Sequence, residues 1–324
     1  MRNALHSVIF GAALGTFATA IAFADPLPDE QIKFQQKPID HLVFPNLPAG
    51  GVFLGHDELS TATVVSPTAP FQGTFMADDF ADKFSQPVVH VSWWGSYINP
   101  TGATVNHAQR FLISFESDVP AVTGAGSFSH PGTPLVSQIV TKGALAPLSG
   151  TFTETLASPG GAPLNEDLYK YNAELRLPFD EKADTVYWLK IVALGTPTEN
   201  IQWGWHDRDY TQQDFLASTA PAVVPGERNL GGGSVFNPVW HFQDDAVSGT
   251  VVGSVDAAQN VIQLDEAGFA PQNYLDNLDG PQGISQFSKD LAFELYYRVP
   301  EPASVGMAML MLGAVSLKRR RREA

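Results

Sequence analysis

The chain has 324 residues, with 19 Lys and Arg against 34 Asp and Glu, a formal charge of −15, and no cysteine. Disulfide-stapled folds, thiolate zinc sites and cysteine nucleophiles are therefore excluded. An acidic chain argues against a nucleic-acid partner, which needs clustered basic groups to displace counterions. An apolar fraction of 44% excludes wholesale disorder, and the length suits one large β domain or two ordinary ones.

Residues 1–24 read as a secretory signal peptide. Arg2 gives the positive start, an uncharged apolar run follows over 8–22, and Ala22-Phe23-Ala24 is a small-x-small cleavage pattern, so the mature chain is expected to begin at Asp25. An N-terminal membrane anchor is the alternative, but the run is short for a bilayer span. Residues 25–51 are rich in Pro, Gln and polar residues and read as an extended lead-in.

From residue 52 to 299 short apolar runs of period two alternate with Pro/Gly/Asn/Asp clusters, which predicts an all-β, antiparallel, jelly-roll-like sandwich. The clearest strand spans 88–97. Val89, Val91, Trp93 and Tyr97 share one face, and His90, Ser92, Trp94 and Ser96 share the other, expected to be wetter. Similar alternation predicts strands over 110–117, 171–178, 185–194 and 291–298. In the fourth, Tyr187, Leu189 and Ile191 oppose Trp188 and Lys190. One polar face per strand is the pattern of antiparallel sheets packed on one side. Helical signals are weak. Residues 165–169 suggest a turn of helix, and 220–237, with Gly231-Gly232-Gly233, a flexible loop.

The C-terminal segment 300–324 has three parts: Pro300-Glu301-Pro302, an apolar stretch over 304–317, and five basic residues from Lys318 to Arg322. Fourteen helical residues reach roughly 21 Å against a hydrocarbon core of about 30 Å, a deficit that flanking residues and bilayer thinning can absorb. The basic run would stay cytoplasmic. This order resembles the PEP-CTERM sorting tail. The resemblance implies transient membrane anchorage through this helix and recognition by an exosortase-type membrane enzyme. Cleavage would fall near Pro300–Pro302, with delivery to the cell envelope or outside. A plain tail anchor is the alternative. Without both ends, the domain keeps 13 basic and 32 acidic residues, a net charge of −19. Such a domain stays soluble and attracts Ca²⁺.

Further pieces carry a second resemblance. They are Ala77-Asp78-Asp79-Phe80, Val91-Ser92-Trp93-Trp94-Gly95-Ser96-Tyr97, Phe111-Leu112-Ile113-Ser114-Phe115, Ser117-Asp118-Val119-Pro120-Ala121, His130-Pro131-Gly132, Val186-Tyr187-Trp188-Leu189-Lys190-Ile191-Val192-Ala193, Trp203-Gly204-Trp205 and Asp244-Asp245-Ala246-Val247. Together, over about 70–250, they resemble an uncharacterised family of exported bacterial β-sandwich domains found beside such tails. The resemblance implies fold and location and hands over no catalytic residue. His206-Asp207-Arg208 and the long segment before Trp240 depart from it.

No G-x-S-x-G, H-E-x-x-H, P-loop or G-x-G-x-x-G motif occurs, and no catalytic residue is assigned. Hard oxygen ligands for calcium are offered by Asp78, Asp79 and Asp82, by Asp207 and Asp209, and by Asp244 and Asp245, although capping or solvated aspartates read the same way. Trp94, Trp203, Trp205 and Trp240 are candidate platforms for the apolar faces of sugars, with core packing as the alternative. The expectation is an exported, non-catalytic, structural or adhesive surface component associated with extracellular polysaccharide. Two alternatives stand beside it: a calcium-dependent carbohydrate-binding module, and a secreted hydrolase using two of Glu116, Glu174, Asp207, Asp209 and Glu294.

Overall fold

The computed structural model describes residues 26–39, 55–64, 70–98, 105–120, 128–159, 167–209, 246–256, 258–272 and 290–299. The leader 1–24, the tail 300–324, the 220–237 segment, Trp240, Asp244 and Asp245 lie outside them. Fourteen strands and no helix occur among the described residues: β1 (Glu30–Gln36), β2 (Asp57–Leu59), β3 (Thr61–Val64), β4 (Phe71–Phe80), β5 (Val88–Tyr97), β6 (Arg110–Val119), β7 (His130–Lys142), β8 (Thr151–Ser158), β9 (Leu168–Phe179), β10 (Tyr187–Gly195), β11 (Trp203–His206), β12 (Val247–Val255), β13 (Val261–Pro271) and β14 (Phe293–Arg298).

The strands form one hydrogen-bonded path, β1-β14-β5-β9-β8-β7-β6-β10-β3-β4-β12-β13, with β11 joining β5 to β2. Every pairing is antiparallel except β3–β10 and β7–β8. The path folds back at β7–β8, where only Thr141↔Thr151 and Lys142↔Phe152 pair. Two layers result, an antiparallel β-sandwich. One holds β1, β14, β5, β9 and β8 with β11 and β2. The other holds β7, β6, β10, β3, β4, β12 and β13. Gln138, buried on β7, stitches them together. Its Oε1 accepts the N–H groups of Arg176 and Leu177, and its Nε2 donates to the Leu177 carbonyl at 2.8 Å.

The main core fills the space between the layers and is aromatic. Trp93 stacks on Tyr171 at 5.2 Å, Phe115 stacks on Phe179 at 4.5 Å, and Phe80 touches Phe115, Phe179, Tyr187 and Phe293. Period two delivers these rings from alternate positions of β5, β6, β9 and β10, the faces that the alternation picks out.

The opposite face of β10 and β4 is dry as well. Trp188, Val192, Phe71, Phe75, Val247 and Val251 form a second core with Leu264 and Phe269 of β13. The β12–β13 hairpin builds it by curling over this face. Phe75 lies over Gly249, its direct partner across the β4–β12 ladder; a Cβ there would come within 2.6 Å of the ring, so only glycine admits the contact. The expected wet face of the 185–194 strand is therefore buried. β1 likewise corrects the lead-in: Glu30–Gln36 pairs with β14, so the sandwich begins at Glu30 rather than at 52. Leu168 and Tyr169 open β9 opposite Ser96 and Gly95, and so form ladder rather than the expected turn of helix.

Candidate functional site

Where the path folds back, the ends of β5, β7 and β8 meet the segment before β6. They enclose a groove of about 450 Å³ lined by Val105, Asn106, His107, Gln109, Lys142, Glu154 and Glu199. Glu154 organises it. Its Oε1 accepts from His107 Nδ1 and from Lys142 Nζ, both at 2.8 Å, and its Oε2 accepts from the Tyr97 hydroxyl at 2.9 Å. The Tyr97 oxygen in turn accepts from the Ala108 N–H at 3.0 Å, which fixes the direction of its own proton. Burial, reinforced by the Glu154 charge, pushes the Tyr97 phenol well above its ordinary value, so it stays a donor. Ring edges of Tyr97 and Tyr169 pack on His107 at 4.7 and 5.1 Å. Asn106 Nδ2 donates to the Glu199 carbonyl and Gln109 Nε2 to that of His107. Donors, acceptors and a small apolar patch thus share one concave site.

A second polar cluster lies on β1, β5, β9 and β14. His90 Nδ1 is 3.1 Å from Glu30 Oε2 and 3.2 Å from Glu174 Oε1, while Arg298 Nη2 reaches Glu30 Oε1 at 2.6 Å and Glu174 Oε2 at 3.1 Å. Glu30, His90 and Glu174 are the one trio of candidate metal ligands gathered among the described residues. The guanidinium already bridges both carboxylates and supplies the positive charge a metal would bring, so the geometry is that of an ion-paired clasp. Burial works to lower the His90 pKa, but the two carboxylates outweigh it and raise it. Burial also raises Glu174, helped by Glu30, whereas hydrogen bonds from His90 and Glu174 overcome burial and hold Glu30 below its usual range.

The residues singled out from the sequence fall elsewhere. Trp203 and Trp205 share a face, as period two requires, but both are 0% exposed in the main core, and Trp205 Nε1 donates to the Ala292 carbonyl at 2.9 Å. Neither ring face is open to a sugar. Trp94 is 7% exposed, packs with Leu168 and Ala292, and carries the Lys170 ammonium 4.9 Å from its ring centroid. These three tryptophans are packing residues, which corrects the platform expectation.

The described aspartates are also dispersed. Asp78 and Asp79 project from opposite faces of β4. Asp78 Oδ2 accepts the Leu291 N–H at 2.7 Å, and burial, with Asp290 nearby, pushes it well above the carboxylate range. Asp82 faces the Lys33 ammonium at 3.9 Å, Asp207 accepts from the His56 N–H at 3.2 Å, and the Asp209 N–H donates to Lys37. No three of them converge on one point among the described residues. Tyr97, residues 105–109, Lys142, Glu154 and Glu199 come from five separate segments, so no local pattern in the sequence marks the groove. Among its residues, only Tyr97 is marked in the sequence, by the strand alternation of 88–97.

Fold and tail define a class, an exported β-sandwich with a cleavable C-terminal sorting segment. A family model described as Domain of unknown function (DUF7901) matches residues 32–250, and one for the PEP-CTERM protein-sorting motif matches 298–322. The chain belongs to the DUF7901 family. The tail makes it an exosortase-sorted, exported protein associated with the cell envelope. No curated protein and no solved structure matches it.

Proposed function

We propose that the mature domain is a non-catalytic surface component that holds an uncharged polysaccharide in the Glu154 groove. Export through the signal peptide over 1–24 and release near Pro300–Pro302 by the exosortase-type enzyme bring it there. One observation carries the reading. The groove places the donors Asn106, Gln109, Lys142 and His107 beside the acceptors Glu154 and Glu199, with Val105 and the His107 ring as the apolar part. Sugar hydroxyls both donate and accept, and their C–H faces need a small apolar surface. An anionic polymer is disfavoured by the domain's net charge of −19.

The hydrolase alternative would draw on two of Glu116, Glu174, Asp207, Asp209 and Glu294, none of which lines this groove. Binding is tested by calorimetry of the envelope-purified chain against neutral and anionic polysaccharides, with Lys142→Ala and Glu154→Gln as controls. Saturable binding to the neutral polymers, weakened at least about tenfold by either change, supports the reading, since lost charge-assisted hydrogen bonds are worth about 1.5–3 kcal/mol each. Equal binding by the variants, or turnover of the polymer, overturns it. Repeating the titration in EDTA tests the calcium-dependent alternative, which requires binding to disappear.

A further inference from the structure

Among the described residues the second core contains one cation, and its setting is chemical rather than only structural. Lys190 is fully buried in the middle of β10, flanked on its face by Trp188 and Val192, with its Nζ 4.2 Å from the Phe75 ring centroid. Two carboxylates meet the amine. Glu116 of β6, also fully buried, lies 2.6 Å away through Oε1, which also accepts from the Ser114 hydroxyl. The Glu116 Oε2 has no hydrogen-bond partner among the described residues. Glu266 of β13 touches the same Nζ through its own Oε1, and its side chain is only 7% exposed. It stands opposite Val251 on a face that otherwise offers Leu264 and Phe269 to the second core.

We propose that Lys190 and Glu266 become joined by an isopeptide bond between Nζ and Cδ, with Glu116 as the proton shuttle. The unprotonated amine attacks Cδ of protonated Glu266 and the carbon–nitrogen bond forms. The Glu116 carboxylate takes one of the two amine protons and passes it to the Glu266 hydroxyl, which leaves as water when the carbon–oxygen bond breaks. One proton stays on the amide nitrogen and Glu116 is regenerated. Amine and acid become amide and water, and no other reactant is needed.

In water this condensation is opposed by the solvation of ammonium and carboxylate. Burial removes that opposition, because the separated charges are the costly state in an apolar site. Desolvation lowers the Lys190 pKa to about 8 against the pull of Glu116, so a useful fraction of amine is unprotonated near neutrality. Lys33, also buried, is set differently: it donates to the Gln86 carbonyl as well as meeting Glu181 and Asp82. The cross-link would fasten β13, the last strand of the path, to the central β10, a covalent lock for an exported chain without cysteine.

The test is a tryptic map of the full chain isolated from cells, denatured before digestion. The expected product is peptide 183–208, uncleaved after Lys190, attached to peptide 229–289 and lighter by one water than the two together. Lys190→Arg abolishes the linked pair, and Glu116→Gln slows its appearance after refolding at least tenfold. Complete cleavage after Lys190 with both peptides at their sequence masses, in wild-type protein with a β-type circular dichroism spectrum and a cooperative melt, overturns the proposal. So does a link that maps to a carboxylate other than Glu266. The wild-type map decides the bond even where a variant fails to fold. An undiminished rate in folded Glu116→Gln removes the shuttle.

Discussion

The main core and the polar clasp of Glu30, His90, Glu174 and Arg298 occupy opposite faces of the same strands, and they hold the sandwich by different means. In the core, Trp93 of β5 packs on Phe111, Phe152 and Tyr171 with no charge nearby to satisfy. On the reverse face, His90 and Ser92 are just as buried, but they are held mainly by hydrogen bonds and ion pairs, such as Ser92 Oγ to Asn172 Oδ1 at 2.6 Å. The core stabilises by the area it removes from water, at any pH. The clasp contributes little net energy while intact, because desolvation offsets most of its Coulomb gain, yet breaking it by removing one partner leaves uncompensated buried charge.

The largest effect should come from emptying the core. Trp93→Ala removes a fully buried indole from between three rings and should cost about 3–5 kcal/mol, read from urea unfolding. A loss under about 1 kcal/mol would mean the layers are not closely packed there. Cutting the clasp should cost less. Arg298→Ala leaves Glu30 and Glu174 facing each other, but the Arg298 side chain is 24% exposed and water can reach the gap, so about 2 kcal/mol is expected. Glu30→Gln in that background should restore part of the loss by removing one of the two carboxylates. If instead the two changes simply add, the groups are not coupled.

The smallest effect separates pH-blind from pH-sensitive regions. Burial, with Asp82 beside it, pushes Glu181 up to about 8. Burial works to lower His206, but the Asp57 charge outweighs it and raises the ring to about 9. In both, the folded chain binds the proton more tightly than the unfolded one, so the stabilisation is complete below the unfolded value and is lost as pH rises. The Glu181 share disappears between about 4.5 and 8 and the His206 share between about 6.5 and 9. The melting midpoint should therefore fall from pH 5 to pH 9, and Glu181→Gln should flatten only the lower part. A midpoint that climbs over this range would refute the assignment.

Alternation along β5 correctly separates Val91 and Trp93 from His90 and Ser92, because period two is a property of the backbone alone. It does not reveal whether the second face meets water. That depends on partners far away in the chain: Glu30 and Arg298 for His90, and the β12–β13 hairpin for Lys190. Trp94, Trp203 and Trp205 show the same limit. Tryptophan in an exported β protein suits a sugar platform and a core equally, and only the path of β11 beside β5 decides it. The groove was illegible because His107, Lys142, Glu154 and Glu199, from four distant segments, become neighbours only in the folded sandwich.

The pairing of β1 with β14 has a consequence for biogenesis. Glu30 sits opposite Arg298, and the Val299 N–H donates to the Asp29 carbonyl at 2.8 Å, so the polypeptide enters and leaves its folded body at one spot. β14 lies between β1 and β5 rather than on the rim. The opening strand therefore has no seat until nearly the last residue of the body has been exported. Closure must wait for export of the body to finish, and the completed sandwich then holds its first strand clasped against the strand that leads into the sorting motif.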